Sequence, residues 1–332
     1  MTDSEIQTVG FLTFPGFPMA CLTSMIEPLR AANEIAGVTR FAWRLISEGG
    51  GQINSSADVV FDADGALEDQ HDLDYLFLLS SPVSQFANPR SGNGKLRAMV
   101  RRGLTIGAVS GGVFPLARAG VMEGHRCSVH WCYDAAFRAE FPQIQAASDV
   151  IVMDRRCYTV SGSGAAFDLS LRLIENALGP EISHEVACWF QHPLMRGEGV
   201  RQAIPLHPTA EATLPDLVSR AIQLFTADME TARSINDIAK TLCVTPRQVE
   251  RAFKKALGQS PSHYFRGLRM KAARQLVQYS KHSMAEIAQA VGYASVGSLQ
   301  RHYRAGFGLS PSADRARINA FRVQGQRVLP NS

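Results

Sequence analysis

The chain lacks any apolar run approaching the ~20 residues that cross a bilayer, which excludes a helical membrane span. It also lacks the basic start and apolar stretch of a secretory leader. It opens instead on the polar, acidic "MTDSEIQTVG", so a cytoplasmic protein is expected. Cysteine is sparse. Six thiols (Cys21, Cys127, Cys132, Cys157, Cys188, Cys243) are scattered over 332 residues, which argues against a disulfide scaffold and makes free thiols the expectation. Aromatic residues reach only 8%, yet a hydrophobic share of 45% at this length is enough for two cored domains. No metal and no cofactor are expected. His125, Cys127, His130 and Cys132 crowd together, but their spacing fits no standard zinc module. If "RCSVHW" is a strand, alternation puts Cys127 and Trp131 on one face and His130 and Cys132 on the other.

What is present is charge, unevenly placed. The net charge is +4, but from Phe225 onward 17 Lys/Arg face 6 Asp/Glu, a net of +11. Residues 1–224 carry 17 Lys/Arg and 24 Asp/Glu, a net of −7. Such a split suggests that one half meets a polyanion, and charge alone equally fits a solvated basic surface.

The first two thirds alternate strand-like and helix-like segments. "TVGFLTF", "FAWRLIS", "DYLFLLS" and "LTIGAVS" are short apolar runs that each lead into turn residues and predict buried strands. "CLTSMIEPLRAANEIAG", "GNGKLRAMVRRG" and "AAFDLSLRLIENALG" predict helices stopped by glycine. The expected fold is an α/β, flavodoxin-like domain with a mostly parallel sheet covered by helices on both faces. The proline-rich, aperiodic "RGEGVRQAIPLHPTAEATLP" predicts a linker. The expected organisation is a first domain over 1–196, a linker over 197–215, an all-α domain over 216–318 and a tail over 319–332.

The all-α half contains an internal repeat. "IAKTLCVTPRQVERAFKKALGQSP" aligns with "IAQAVGYASVGSLQRHYRAGFGLSP", with one extra residue in the second turn. Arg251 pairs with Arg301, Phe253 with Tyr303, and Ser260-Pro261 with Ser310-Pro311. Each copy reads as a helix-turn-helix: a short helix, a tight turn, and an N-capped second helix. Thr245, Pro246 and Gln248 form a full helix-start signal, whereas Ser295 caps the second copy without the box. Gly292 marks the second turn, and Cys243 replaces glycine in the first. Val249, Ala252, Phe253 and Leu257 form a buried stripe that leaves Arg247, Gln248 and Arg251 outward. Arginine and glutamine are the side chains whose forks grip guanine and adenine edges in the major groove.

With these residues in view, the region from about 225 to 317 resembles the AraC/XylS-family DNA-binding domain, whose two helix-turn-helix units the repeat matches. The resemblance implies two recognition helices in successive major grooves, about 34 Å apart. Carried over by position, it implies base contacts from Arg247, Gln248 and Arg251, and from Gly297, Ser298 and Arg301. Lys254, Lys255, Arg266, His302 and Arg304 are the expected phosphate partners. Gly297 has no side chain, so the second helix is expected to read fewer bases.

In the acidic half, "TSMIEPLRAAN", "GAVSGGVFPLARAGVMEGHRCSVHW" and "CYTVSGSGAAFDLSLRLIENALG" resemble the class I glutamine amidotransferase-like domain of the ThiJ/PfpI superfamily, as fused to AraC-type regulators. That resemblance places Ser110 where the enzymes carry a cysteine, with Glu27 as its acidic partner and His130-Trp131 in a block common to the regulator-fused group. Two readings stand. In one, Ser110 is a nucleophile, and the Gly111 and Gly112 N–H groups hold an oxyanion. Against it, the elbow pattern G-x-S-x-G lacks its first glycine, with Ala108 there instead, and no Ser/His/Asp order is legible. In the other, Glu27, Ser110, Gly111, Gly112, His130 and Trp131 line a pocket that senses a small-molecule effector without catalysis, at the carboxyl ends of the strands. Trp43, Trp131 and Trp189 are candidates for a cationic-ligand cage, with buried core the expectation for at least two. The expected protein is a ligand-responsive regulator of promoter DNA. The resemblance adds a small amino acid or quaternary amine as effector, a homodimer, and RNA polymerase as a further partner.

Overall fold

The computed structural model describes residues 6–192, 195–202, 214–226, 229–231, 233–280 and 282–323. Most of the expected linker, residues 203–213, and residues 324–332 of the expected tail lie outside these described residues. The chain divides into two compact units after Gln202.

The first unit contains strands β1 (Gln7–Thr13), β2 (Phe41–Ser47), β3 (Gly51–Asn54), β4 (Val60–Ala63), β5 (Gly65–Ala66), β6 (Tyr75–Ser80), β7 (Thr105–Ser110), β8 (Arg126–Ser128), β9 (Gln145–Ala147), β10 (Ile151–Asp154) and β11 (Cys157–Val160). Its helices are α1 (Met19–Ala36), α2 (Pro89–Arg101), α3 (Val113–Arg118), α4 (Asp134–Glu140), α5 (Ser163–Leu178) and α6 (Pro180–Trp189). A seven-stranded sheet runs β10-β11-β7-β6-β1-β2-β5. It is parallel throughout except for the antiparallel β10–β11 edge pair. Leu76, Phe77, Leu78 and Leu79 of β6 are all fully buried, as strands covered on both faces require. Helices α1 and α5 pack on one face, where the Ser170 hydroxyl donates to the Met25 carbonyl at 3.1 Å. Gly37 ends α1 in the left-handed conformation, φ +66°.

Two elements depart from the sequence reading. "RCSVHW" is strand only at Arg126–Ser128, and turn residues begin at Trp131. The buried-core expectation for the tryptophans also fails: Trp189 is 54% exposed at the end of α6, and Trp43 and Trp131 are half-buried.

The second unit contains α7 (Asp216–Thr226), α8 (Ile235–Thr241), α9 (Pro246–Leu257), α10 (Pro261–Tyr279), α11 (Met284–Ala290), α12 (Val296–Phe307) and α13 (Pro311–Val323). Polar caps start α8 to α12. Ser234, Thr245 and Ser283 each make a reciprocal capping box, while Ser260 and Ser295 accept one backbone N–H without the box. Val249 and Phe253 face a core with Ile238, Ala239, Phe225 and Phe265, and the Phe225 and Phe265 rings stack at 4.0 Å. The two helix-turn-helix turns are left-handed at equivalent positions, Gly292 at φ +71° and Cys243 at φ +56°. Left-handed backbone costs a residue with a Cβ about 1–2 kcal/mol, partly offset by the entropy a glycine loses on folding. Cys243→Gly is therefore expected to raise stability by a few tenths to about 1 kcal/mol, read as a higher denaturation midpoint with an unchanged slope.

Candidate functional site

The carboxyl edge of the sheet carries a row of hydroxyls. Thr13, Ser47, Ser80 and Ser110 end the neighbouring strands β1, β2, β6 and β7, and all four are buried. Thr13 Oγ1 donates to the Ile46 carbonyl at 3.1 Å, but the Ser47 and Ser80 hydroxyls have no partner among the described residues. Ser110 sits opposite Ser80 in the β6–β7 register. Its φ of +55° costs a non-glycine residue about 1–2 kcal/mol, the kind of strain that clusters at functional sites. The elbow therefore forms without its first glycine, and the Ala108 methyl is fully buried.

Gly111 and Gly112 are required for a steric reason. A Cβ on Gly112 would lie 1.9 Å from the Leu78 carbonyl oxygen, and one on Gly111 would lie 2.3 Å from that of Ser80. The helix start is pressed against β6. The Gly112 N–H donates to the Val109 carbonyl at 3.0 Å, so it is committed to the turn and not to an oxyanion. The expected Glu27–Ser110 pairing does not form among the described hydrogen bonds. Glu27 faces outward on α1, 47% exposed, and pairs with Arg30 at 3.0 Å, a spacing of three residues that brings side chains together on a helix.

His130 and Trp131 lie in the loop after β8. The His130 ring edge reaches Gly162, just beyond the end of β11, where a Cβ would be 3.4 Å from its Cδ2. Strand β11 is the sheet neighbour of β7. Burial pulls the His130 pKa below its ordinary 6.5, so the ring is neutral at neutral pH. One residue missed in the sequence organises this loop. Gln202, 7% exposed, accepts the Trp131 N–H at 2.8 Å and donates to the Val129 carbonyl at 2.7 Å. The polar, proline-rich stretch that read as linker thus begins with a buried staple.

Of the four residues with apparent zinc spacing, Cys127 is fully buried and His125 pairs with Asp154 and Arg155. Only His130 and Cys132 meet.

In the second unit, Arg247, Arg251, Lys254, Lys255 and Arg266 are exposed, as are Gly297, Arg301 and Arg304. Ser298 is half-buried, and its N–H donates to the Ser295 cap at 3.3 Å. Gln248 is exposed, but its side-chain oxygen accepts from the Thr245 N–H at 2.7 Å, which leaves its amide NH2 for other contacts. His302 packs on Tyr293 with ring centroids 5.5 Å apart, and its Nδ1 is buried without a partner among the described residues.

A parallel sheet with a strained strand-to-helix turn, joined in one chain to two capped helix-turn-helix units with arginines outward, defines a sensor domain fused to a DNA-reading domain. Residues 10–176 match the DJ-1/PfpI family and residues 238–317 match a helix-turn-helix domain. The HTH-type transcriptional regulators GbdR and CdhR of Pseudomonas aeruginosa are each 32% identical, over 93% of this chain and 84% and 92% of their own lengths. An AraC family transcriptional regulator from Pseudomonas putida superposes with a TM-score of 0.51 at 22% identity, over 55% of this chain and 99% of its own. The chain belongs to the family of HTH-type transcriptional regulators that join a DJ-1/PfpI domain to an AraC-type DNA-binding domain. It is a DNA-binding transcriptional regulator with a sensor domain.

Proposed function

We propose that the first unit senses a small amino acid or quaternary amine at the carboxyl edge of its sheet and runs no reaction there. The observation that carries this reading is the buried Ser80 hydroxyl, unpartnered among the described residues, opposite the strained Ser110 in the sheet register. Buried polar groups without internal partners ask for one from outside the fold. The ligand pocket comprises Ser110, Gly111, His130 and Trp131. Glu27 and Gly112 support the surrounding structure through Arg30 and the turn. Catalysis lacks support for a chemical reason: a serine hydroxyl needs a positioned base, and no hydrogen bond joins Ser110 to a histidine or carboxylate among the described residues. Thermal-shift screening against amino acids and betaines tests the sensor, because a ligand at about 100 Kd adds about 2.7 kcal/mol of stability. Ser110→Ala tests the chemistry. Ligand-dependent transcription is expected to persist in it at a raised effector concentration, and intact-mass spectra of the wild type are expected to show no acyl adduct. An adduct lost in the variant would establish the enzyme instead.

The second unit, on this proposal, reads promoter DNA in the cytoplasm with α9 and α12. Arg247, Gln248, Arg251, Gly297, Ser298 and Arg301 face bases, while Lys254, Lys255, Arg266, His302 and Arg304 hold phosphates. A homodimer spans two half-sites and contacts RNA polymerase. Analytical ultracentrifugation tests the dimer.

A further inference from the structure

The loop after β8 pairs the pocket residue His130 with Cys132, a side chain to which the sensing role gives no task. Cys132 Sγ lies 2.9 Å from His130 Nδ1. The Cys132 backbone N–H also donates to Nδ1, at 3.3 Å. A ring nitrogen that accepts a backbone N–H carries no proton of its own, so the neutral ring holds its proton on Nε2 and the thiol donates to Nδ1. The ring is held in place between Trp131 and Tyr133, each with its centroid 5.4 Å away. A thiol within hydrogen-bond reach of a neutral, oriented imidazole is the arrangement that makes a nucleophilic cysteine.

The other five cysteines lack this combination. Cys21, Cys127 and Cys157 are buried, and burial pushes each thiol up to about 12. Cys188 is exposed and contacts His184 Nε2 at 3.6 Å, but that imidazole is itself exposed on the same helix. Cys243 is exposed in the helix-turn-helix turn. Cys132 alone joins partial access to a buried, oriented base.

We infer that Cys132 is a reactive thiol, activated by His130, that takes up small soft electrophiles of the α,β-unsaturated carbonyl class. In the step, the thiol proton passes to His130 Nδ1 and a sulfur electron pair forms a C–S bond to the β-carbon. The alkene π pair moves onto the carbonyl as an enolate, the imidazolium returns its proton to the α-carbon, and the ring is neutral again. No oxidant or leaving group is involved. The adduct would sit next to Trp131, whose N–H is held by Gln202, the last described residue before the connecting segment. The inference does not depend on the ligand-sensing role, because labelling is measured with no effector present.

The experiment treats the full chain with substoichiometric N-ethylmaleimide at about pH 7 and maps the modified peptides by mass spectrometry. Cys132 is expected to react at least about tenfold faster than Cys188 or Cys243. His130→Asn is expected to remove that advantage and leave the other two rates unchanged. Because that variant can disturb the loop, the wild-type pH profile is the second measurement. Cys132 reactivity should hold from neutral pH down past the ordinary histidine value of 6.5, and fall only when the imidazole takes a proton. An unassisted thiol loses about tenfold per pH unit below its ordinary ~8.5. Labelling of Cys132 no faster than of the exposed pair, or a pH profile that tracks theirs, would overturn the proposal.

Discussion

Replacing Arg251 and Arg301 together by alanine is expected to abolish sequence-specific DNA binding while leaving both helix-turn-helix units folded. The two arginines occupy equivalent exposed positions on α9 and α12, opposite the buried stripes that hold each helix in place. Neither takes part in an ion pair among the described residues, so truncation removes little internal stability. A good bidentate contact to a base discriminates by about 1–3 kcal/mol. Two on separate helices add to about 2–6 kcal/mol, roughly 30-fold to 10⁴-fold in affinity. Gel-shift titrations on cognate and scrambled DNA at two salt concentrations would show the cognate advantage disappear. The control is Lys255→Ala, which should weaken both DNAs alike and flatten the salt slope by about one unit. Unchanged cognate binding by the double variant would sink the interface.

The second large effect is on stability. Asp314, at the start of α13, has a fully buried side chain. It accepts from Tyr303 Oη at 2.8 Å, Arg274 Nε at 2.9 Å and Gln278 Nε2 at 3.3 Å. One carboxylate thus ties together α10, α12 and α13. Asp314→Ala leaves the Arg274 guanidinium and the Tyr303 hydroxyl without that partner, a loss of about 3–5 kcal/mol for breaking a buried pair. In a unit of this size that corresponds to a drop in Tm of about 10 °C or more, measured by calorimetry or circular dichroism. The same carboxylate sets an acid signature. Burial alone would raise its pKa, but the hydrogen bonds from Tyr303 and Arg274, with the Arg274 charge, outweigh that and hold it below the ordinary 3.8. A depressed native pKa means the stabilisation is complete above the unfolded value and is lost as pH falls through the native one. The Asp314-dependent loss of stability should thus begin only below about pH 4, and Asp314→Asn should lack that step.

How much of this was legible depends on how local the cause is. The Thr245–Gln248 box, the box-free Ser295 cap and the exposed turn at Cys243 are settled within four or five residues, and the sequence shows each of them. Helix α13 carries the same Ser-Pro start signal as α10 and was legible in principle, but it lies beyond the end of the repeat. The β3–β4 hairpin and the β10–β11 edge pair depend on partners that patterning does not name. The acidic half hides more. The outward turn of Glu27, the committed Gly112 N–H and the Gln202 staple all rest on contacts that no motif encodes. A row of Thr and Ser at the ends of successive strands was the one readable signal of the hydroxyl-lined edge.

The contrast between local and distant contacts has a consequence for biosynthesis. The second unit is a string of helices of which α8 to α12 each start from their own cap, the sort of topology that folds quickly from nearby contacts. The first unit cannot close until α5 is made, since Ser170 must find Met25 across 145 residues. At roughly 5–20 residues per second, the ribosome leaves β1, β6 and α1 without a finished core for on the order of ten seconds or more. The half that emerges first is therefore the slower to mature. An unfinished parallel sheet is the form of this protein most exposed to aggregation and most dependent on chaperones, while the DNA-reading half can fold soon after it leaves the exit tunnel.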